Sequence, residues 1–285
     1  MKNAIILAAG TASRFVPLSA EFPKALLELK GEILIERQIR QLREAGVRDI
    51  TLVLGYKAEM FSYLEGKYGV RTVLNEDYAR YNNSSSLVRV LDLLDNTYIC
   101  CSDHFFRKNV FTETPMMSYY ASLFARGVTD EYCLDLDEND FITGVHVGGE
   151  DSWYMAGHAY FNSSFSSAFR DIMREEYKIE ENRLRYWEDI YIRHIAELPM
   201  KARKYDRLSI LEFDSIDELR QFDESYVDDT RSQIVKQISD MLGCKERDIS
   251  GFSRIKHAGD HIVFSFFHNG AKFIYDGRDH SINKV

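Results

Sequence analysis

The sequence predicts an α/β protein with a mixed, mainly parallel central sheet and a small C-terminal α+β appendix. In the first hundred residues, short apolar runs alternate with amphipathic segments, and the first two runs end in glycine. That order is typical of buried parallel strands joined by helices. Near the C-terminus, Asn269-Gly270 separates two apolar runs and predicts a β-hairpin.

The first half supplies the parallel strands and the helices between them. The predicted strands are Ala4–Ala8, Asp49–Leu54, Arg71–Leu74 and Thr97–Cys101, and the predicted helices are Leu34–Ala45, Ala58–Tyr68 and Ser84–Leu94. Ligands of such sheets bind beyond the carboxyl ends of the strands. Gly10, Gly55 and Asp103 occupy those ends and are therefore expected at the functional edge.

The second half predicts a change to mixed strands and a separate C-terminal part. The predicted strands are Tyr132–Leu136, Ile142–Val147, Trp153–Phe161, Lys201–Lys204 and Ile210–Phe213, with helices at Ser164–Glu175, Tyr186–Ile195 and Thr230–Leu242. The acidic, polar run Asp223–Asp229 predicts a linker. We therefore expect one domain at residues 1–227 and a small α+β domain at 228–285.

Composition limits the classes of partner. The chain carries 36 Lys and Arg against 45 Asp and Glu, a formal net charge of −9, and has no basic run. This argues against binding to nucleic acid, whose affinity depends on clustered cations. The apolar start is too short for a signal peptide or a membrane span, and the four cysteines form no CxxC pair. A cytoplasmic protein without a membrane partner is expected.

A small-residue loop follows the first predicted strand. It runs Leu-Ala-Ala-Gly-Thr-Ala-Ser-Arg from Leu7 to Arg14, and Pro23-Lys24 follows shortly afterwards. Small residues let main-chain amides approach phosphate oxygens, while Arg14 and Lys24 add cations suited to phosphates. Neither GxGxxG nor GxxxxGK[ST] is present, so the signal comes from the whole arrangement.

This arrangement resembles the signature of the sugar-nucleotide and related nucleotidyltransferases, with Ala12 standing where many members have glycine. The resemblance covers about residues 1–225 and implies a Rossmann-like fold that joins an NTP to a phosphorylated acceptor and releases pyrophosphate. It is closer to bacterial CTP:phosphocholine cytidylyltransferases. That closer similarity depends on the segments Leu54-Gly55-Tyr56, Tyr81-Asn82-Asn83, Ser102-Asp103 and Tyr186-Trp187-Glu188-Asp189.

The resemblance implies a role for each matching residue. Arg14 and Lys24 are expected to be catalytic. Asp103 is expected to bind Mg²⁺, with Asp189 as the second carboxylate and Glu188 as its alternative. The implied nucleotide-binding residues are Leu7, Ala8, Ala9, Gly10, Thr11, Ala12, Ser13, Tyr56, Asn83, Ser85 and Ser102. For Asn83 and Ser85, capping of a helix start explains the sequence equally well.

The acceptor is expected to be phosphocholine or a close analogue such as phosphoethanolamine or 2-aminoethylphosphonate. A trimethylammonium group would require an aromatic box. The candidate acceptor-binding residues are Trp153, Tyr154, Tyr160, Trp187 and Glu188. Aromatic residues in strands are also typical of a hydrophobic core, so both interpretations stay open. His158 is expected to be a core histidine.

The C-terminal segment Ile249–Asp276 is similar to the opening hairpin of choline-kinase-like phosphotransferases, and no catalytic role is assigned to it. Two other functions remain open for the chain. A sugar-1-phosphate nucleotidyltransferase would need a more polar acceptor site. A silent nucleotide-binding protein would have no need of Arg14, Lys24, Asp103 and Asp189. The sequence does not determine the oligomeric state.

Overall fold

A computed structural model describes residues 2–112, 114–255 and 261–285. The strands are β1 Lys2–Ala8, β2 Glu28–Leu29, β3 Glu32–Ile33, β4 Asp49–Leu54, β5 Arg71–Leu74, β6 Asn96–Cys101, β7 Phe105–Phe106, β8 Tyr119–Phe124, β9 Val128–Leu136, β10 Ile142–Glu150, β11 Trp153–Phe161, β12 Lys201–Lys204, β13 Ile210–Leu211, β14 Ile249–Arg254, β15 Val263–His268, β16 Ala271–Asp276 and β17 Ser281–Lys284.

The helices are α1 Leu18–Glu21, α2 Leu34–Glu44, α3 Tyr63–Tyr68, α4 Ser84–Val88, α5 Ser163–Glu176, α6 Glu180–Arg183, α7 Trp187–Arg193, α8 Ile216–Phe222, α9 Ser225–Asp228 and α10 Gln233–Leu242. Single 3₁₀ turns occupy Lys24–Leu26, Ala58–Phe61, Leu91–Leu93 and Glu246–Asp248. Within the described ranges, none of these helices is long and apolar enough to span a bilayer.

The chain forms two compact units. The first unit contains Met1–Gly10 and Leu34–Leu211, and the second contains Thr11–Ile33 and Glu212–Val285. The division differs from the boundary at 227/228 that the sequence suggested, which stays a prediction about domains.

The first unit contains the predicted mixed sheet, which confirms the fold class. The strand order is β10-β9-β11-β6-β1-β4-β5, with β8 paired to β11 and to β12. The pairs β6–β1, β1–β4 and β4–β5 are parallel, whereas β11 runs antiparallel to β6. Two apolar segments predicted as longer helices are shorter. Ser84–Leu94, for example, splits into α4 and a 3₁₀ turn, and this still buries Leu87, Val90 and Leu91.

The pairing register brings the carboxyl ends of three strands to one edge. Leu7 of β1 lies opposite Cys101 of β6, and Ala8 lies opposite Leu54 of β4. The loops that follow these strands therefore start side by side. This confirms the expectation that Gly10, Gly55 and Asp103 follow neighbouring strand ends.

Gly55 allows two of these loops to touch. The amide of Tyr56 donates to the carbonyl of Ala9 at 3.1 Å. A Cβ atom at Gly55 would lie 2.7 Å from Cβ of Tyr78 and 2.9 Å from Cβ of Ala9. Only a residue without a side chain fits this contact, because real Cβ atoms do not approach other carbons so closely.

The second unit ends in a four-stranded antiparallel meander, β14-β15-β16-β17. Its β15–β16 turn confirms the predicted hairpin, since Asn269 and Gly270 have φ values of +49° and +72°. The choline-kinase-like segment includes residues 256–260, which lie outside the described residues. Its similarity to that family stays a prediction.

The predicted linker at Asp223–Asp229 is wrong. Residues 225–228 form α9, and the side chain of Tyr226 is fully buried with its hydroxyl donating to the carbonyl of Glu28 at 2.9 Å. The carboxylate of Asp223 accepts the amide of Lys30 at 2.6 Å. Polar composition suggested solvent exposure, but these polar groups form hydrogen bonds within the second unit.

Candidate functional site

The predicted site residues are divided between the two compact units, and each group is described within its own unit. The first unit contains Leu7–Gly10, Tyr56, Asn83, Asp103 and the acceptor candidates. The second unit contains Thr11–Arg14 and Lys24.

In the first unit, a group of metal-ligating side chains follows β6. Ligand atoms of Cys101, Asp103 and His104 all lie within 4.8 Å of one another. Oδ1 of Asp103 is 3.6 Å from Nδ1 of His104. Asp103 and the preceding Ser102 are half-buried at the strand end, where the sequence placed them. A carboxylate at this position suits Mg²⁺, which prefers oxygen ligands.

The end of β1 is built for close approach to a ligand. Ala8 and Ala9 are buried, Leu7 is half-buried and Gly10 is exposed. Among the described residues, apart from Gly10 and its two chain neighbours, no heavy atom lies within 4 Å of the position that a Cβ of Gly10 would take. The loop backbone is therefore open at Gly10, as a phosphate-binding loop requires.

The side chain of Ser85 does not support a nucleotide-binding role. It is fully buried. Its hydroxyl donates to the carbonyl of Asn82 at 2.7 Å and accepts from Nδ2 of Asn75 at 2.8 Å. The hydroxyl holds the start of α4 against the chain that follows β5, and the nucleotide-binding role of Ser85 stays a prediction.

Asn83 joins the starts of two helices. Its Nδ2 donates to Oε2 of Glu188 at 3.1 Å, and its Oδ1 accepts the amide of Trp187 at 2.8 Å. The other oxygen of Glu188 accepts the hydroxyl of Tyr120 at 3.0 Å. The side chains of Asn83 and Glu188 are thus engaged with each other and with the protein, which favours a positioning role over direct ligand contact.

Glu188 has an unusual charge equilibrium. Burial raises its pKa from the ordinary 4.5 to about 7, although the hydrogen bonds from Asn83 and Tyr120 act in the opposite direction. A carboxyl group in this environment changes its charge near neutral pH.

Two acceptor candidates prove to be core residues. The indole of Trp187 is 2% exposed and stacks on Tyr120 at a centroid distance of 5.7 Å. Tyr160 is 3% exposed, and its hydroxyl donates to Asn96 at the start of β6, the opposite end of that strand from Asp103. Both rings therefore contribute to the core in this structure, and their acceptor-binding roles stay predictions.

Trp153 and Tyr154, at the start of β11, are only partly buried. The ring of Trp153 packs edge-on against Phe124 at 5.3 Å, and Nζ of Lys204 lies 5.2 Å from the indole centroid. The protein's own cation therefore already contacts this ring. The acceptor roles of Trp153 and Tyr154 stay predictions.

Asp189 acts as a helix cap. One oxygen accepts the amide of Tyr186 at 2.9 Å, and the other accepts the hydroxyl of Tyr132 at 3.1 Å. Burial and the neighbouring Asp189 raise the pKa of Tyr132 to about 12, so its hydroxyl stays protonated. Asp189 thus caps the start of α7, and its role as the second metal ligand stays a prediction.

His158 is a core histidine, as predicted. It is 1% exposed, and its ring lies edge-on to Phe106 and Phe111. Burial, followed by the charge of His104, lowers the pKa of His158 to about 3. This ring is neutral at any physiological pH.

In the second unit, Asp214 connects the two predicted catalytic cations. Its Oδ1 lies 3.3 Å from Nζ of Lys24, and its Oδ2 lies 3.4 Å from Nη1 of Arg14. Oε1 of Glu212 is 3.1 Å from the same Nζ. The structure thus brings Arg14 and Lys24 to one carboxylate, and a phosphate could replace that carboxylate as their anionic partner.

Glu212 and Asp214 were missed from the sequence. They flank Phe213 at the end of the predicted run Ile210–Phe213, and residues two apart in an extended chain face the same side. That spacing was the available signal. The two half-exposed carboxylates also offer oxygen ligands suited to Mg²⁺ within this unit.

The loop start in the second unit explains why glycine would suit position 12. Ala12 has a φ of +46°, in the left-handed region that favours glycine, and its carbonyl accepts the amide of Phe15 at 2.9 Å. Thr11 is exposed and Ser13 is half-buried, so both remain available to a ligand, as predicted.

The sequence is similar to those of known proteins. The MobA-like NTP transferase domain matches residues 4–112. The 2-aminoethylphosphonate cytidylyltransferase of Lancefieldella rimae is 36% identical over 229 residues, which cover 79% of this chain and 93% of that relative. The chain belongs to the nucleotidyltransferase family. Choline-phosphate cytidylyltransferase of Streptococcus pneumoniae is 33% identical over 222 residues, covering 78% of this nucleotidyltransferase and 97% of the relative.

A solved structure agrees with these relatives. The CTP:phosphocholine cytidylyltransferase of Streptococcus pneumoniae superposes with a TM-score of 0.75 at 33% identity and covers 79% of this chain and 98% of that one. The nucleotidyltransferase therefore belongs with the cytidylyltransferases. About one fifth of the chain is not covered by that structure.

Glu188→Gln should change how stability depends on pH. In the wild type, the raised pKa stabilises the folded state below about pH 4.5, and this contribution is lost as the pH rises through about 7. The change for this one group is up to about 3 kcal/mol. Glutamine cannot ionise, so the variant should gain stability relative to the wild type between pH 4.5 and 7.5, as measured by urea unfolding.

The unfolding stability of the variant must be compared with that of the wild type at each pH. His158 contributes to the pH dependence of both proteins, with the opposite sign to Glu188. Its lowered pKa makes the wild type more stable as the pH rises between about 3 and 6.5. Glu175→Gln, at an exposed position, is the matched control. A stability difference between Glu188→Gln and the wild type that stays constant with pH would contradict the assignment.

Proposed function

We propose that this nucleotidyltransferase transfers CMP from CTP, with Mg²⁺, to a small phosphonate or phosphate ester that carries a cationic nitrogen. The leading acceptor is 2-aminoethylphosphonate. The observation that carries the proposal is the 36% identity to a 2-aminoethylphosphonate cytidylyltransferase over nearly all of that relative. The open loop at Gly10 and the carboxylate of Asp103 at neighbouring strand ends are consistent with it.

The reaction requires positioning and neutralisation of charge. An oxygen of the acceptor attacks the α-phosphorus of CTP, the bond to the bridging oxygen of the β-phosphate breaks, and pyrophosphate leaves. Arg14 and Lys24 bind phosphate oxygens in place of Asp214. Asp103 supplies a carboxylate oxygen that fits Mg²⁺. The ion would neutralise charge on the phosphates.

The aromatic residues bear on the chemical nature of the acceptor's nitrogen. A quaternary ammonium group needs exposed aromatic faces, whereas a primary ammonium group also forms hydrogen bonds. Trp187 and Tyr160 are buried, and Lys204 lies over Trp153. These contacts support a primary ammonium acceptor over a trimethylammonium one.

Phosphocholine is the second candidate. It is favoured by the 33% identity to a choline-phosphate cytidylyltransferase and by the TM-score of 0.75 to a CTP:phosphocholine cytidylyltransferase. Sugar-1-phosphates are less favoured. The solved thymidylyltransferase of Bacillus anthracis is only 18% identical, a level that supports the fold alone.

Pyrophosphate release tests the substrate assignment. CTP, UTP, ATP and GTP are each combined with 2-aminoethylphosphonate, phosphoethanolamine, phosphocholine or glucose-1-phosphate in the presence of Mg²⁺. We expect turnover with CTP, fastest with 2-aminoethylphosphonate. Faster turnover with phosphocholine would make phosphocholine the preferred acceptor. Pyrophosphate release with glucose-1-phosphate alone would contradict an acceptor that carries a cationic nitrogen. No release with any pair would favour a silent nucleotide-binding protein.

Lys24→Ala and Asp103→Ala test the proposed roles. Each should lower kcat/KM at least about 100-fold, because Lys24 provides a positive charge to the transferring phosphates and Asp103 provides an oxygen ligand for the Mg²⁺ that neutralises them. Lys236→Ala and Asp92→Ala, at exposed positions, are the matched controls and should keep wild-type rates. Rates within about twofold of the wild type for Lys24→Ala would refute its catalytic role.

A further inference from the structure

The group formed by Cys101, Asp103 and His104 differs from an ordinary Mg²⁺ site. It offers one thiolate sulfur, one carboxylate oxygen and one imidazole nitrogen, and all three ligand atoms lie within 4.8 Å of one another. Mg²⁺ needs only the oxygen. Sulfur and nitrogen ligands instead favour Zn²⁺ and its neighbours in the transition series.

The imidazole is held in place by packing. His104 is 7% exposed, and its ring stacks on Phe106 at a centroid distance of 6.1 Å. Strand β11 leaves room for it at Gly157, where a Cβ would lie only 1.9 Å from Cε1 of His104. Gly157 also has a φ of +67°, which favours glycine. A ring fixed beside the strand end loses little entropy when it binds a metal.

The ligand count matches an open zinc site. Three protein ligands with a fourth position left for water or substrate are typical of non-structural zinc sites. We propose that Cys101, Asp103 and His104 bind Zn²⁺ or a similar soft divalent ion, and that this ion inhibits the enzyme by occupying Asp103. The proposed inhibition rests on the proposed function, because it assumes that Asp103 binds the Mg²⁺ used in catalysis. The proposed Zn²⁺ binding does not depend on that function.

Cobalt binding tests the metal site directly, in an experiment that does not require enzyme turnover. Co²⁺ titrated into the full chain under reducing conditions should give a near-ultraviolet charge-transfer band, which only a thiolate ligand produces. Zn²⁺ should abolish the band by displacing Co²⁺. Cys101→Ser should lack the band. Cys100→Ala, on the opposite face of β6, and Cys244→Ser, in the second unit, should keep it.

Zinc affinity should follow the same pattern. Mutation of a residue that only hydrogen-bonds to a metal ligand lowers metal affinity about 10–100-fold. Removal of a ligand itself, in Cys101→Ser or His104→Gln, should therefore lower the Zn²⁺ affinity at least about tenfold. A protection experiment requires no variant. Zn²⁺ should slow the alkylation of Cys101, mapped by peptide mass spectrometry, and leave the alkylation of Cys244 unchanged. A band retained in Cys101→Ser, or unprotected Cys101 in the wild type, would overturn the site.

Activity separates this proposal from the proposed function. Zn²⁺ should inhibit Mg²⁺-dependent transfer by the wild type, and Cys101→Ser should resist inhibition at least about tenfold better while keeping its rate without zinc. Equal inhibition of both proteins would contradict regulation through this site. A Cys101-dependent cobalt band in a protein that releases no pyrophosphate would support the metal site and count against the proposed function alone.

Discussion

The parallel pairing of β1 with β4 and β6 is the constraint on which the rest of the first unit depends. The opposed residues Leu7 and Cys101, and likewise Ala8 and Leu54, place three strand ends in line. Every loop with proposed chemistry in this unit starts from that line. A shift of one residue in either register would separate the loops and move each buried side chain to the other face.

Buried hydrogen bonds then fix the segments beside that edge. Asn83 forms hydrogen bonds with the side chain of Glu188 and the amide of Trp187. Ser85 forms hydrogen bonds with the carbonyl of Asn82 and the side chain of Asn75. A buried polar group without a partner is costly, so these contacts hold the helix starts in single positions. Asn83 and Ser85, which the sequence suggests as ligand contacts, therefore also position the backbone beside that edge.

Much of the sheet could be predicted from the sequence, because apolar runs such as Asp49–Leu54 are buried on both faces and bounded by turns. Strand β8 was missed, although five of its residues are buried, because periodicity alone cannot distinguish a short apolar run from a segment of buried helix. The contacts of Trp187 and Asp214 could not be predicted either. Each is made with partners distant in sequence, which periodicity and spacing cannot reveal.

Phosphorus NMR of the reaction products tests the central claim, transfer of CMP to a cationic phosphonate, most directly. With CTP, Mg²⁺ and 2-aminoethylphosphonate, we predict mutually coupled phosphonate and phosphate resonances of one P–O–P linkage, with pyrophosphate in equal amount. Pyrophosphate accompanied by free CMP and unchanged phosphonate would contradict the account, because water would then be the acceptor.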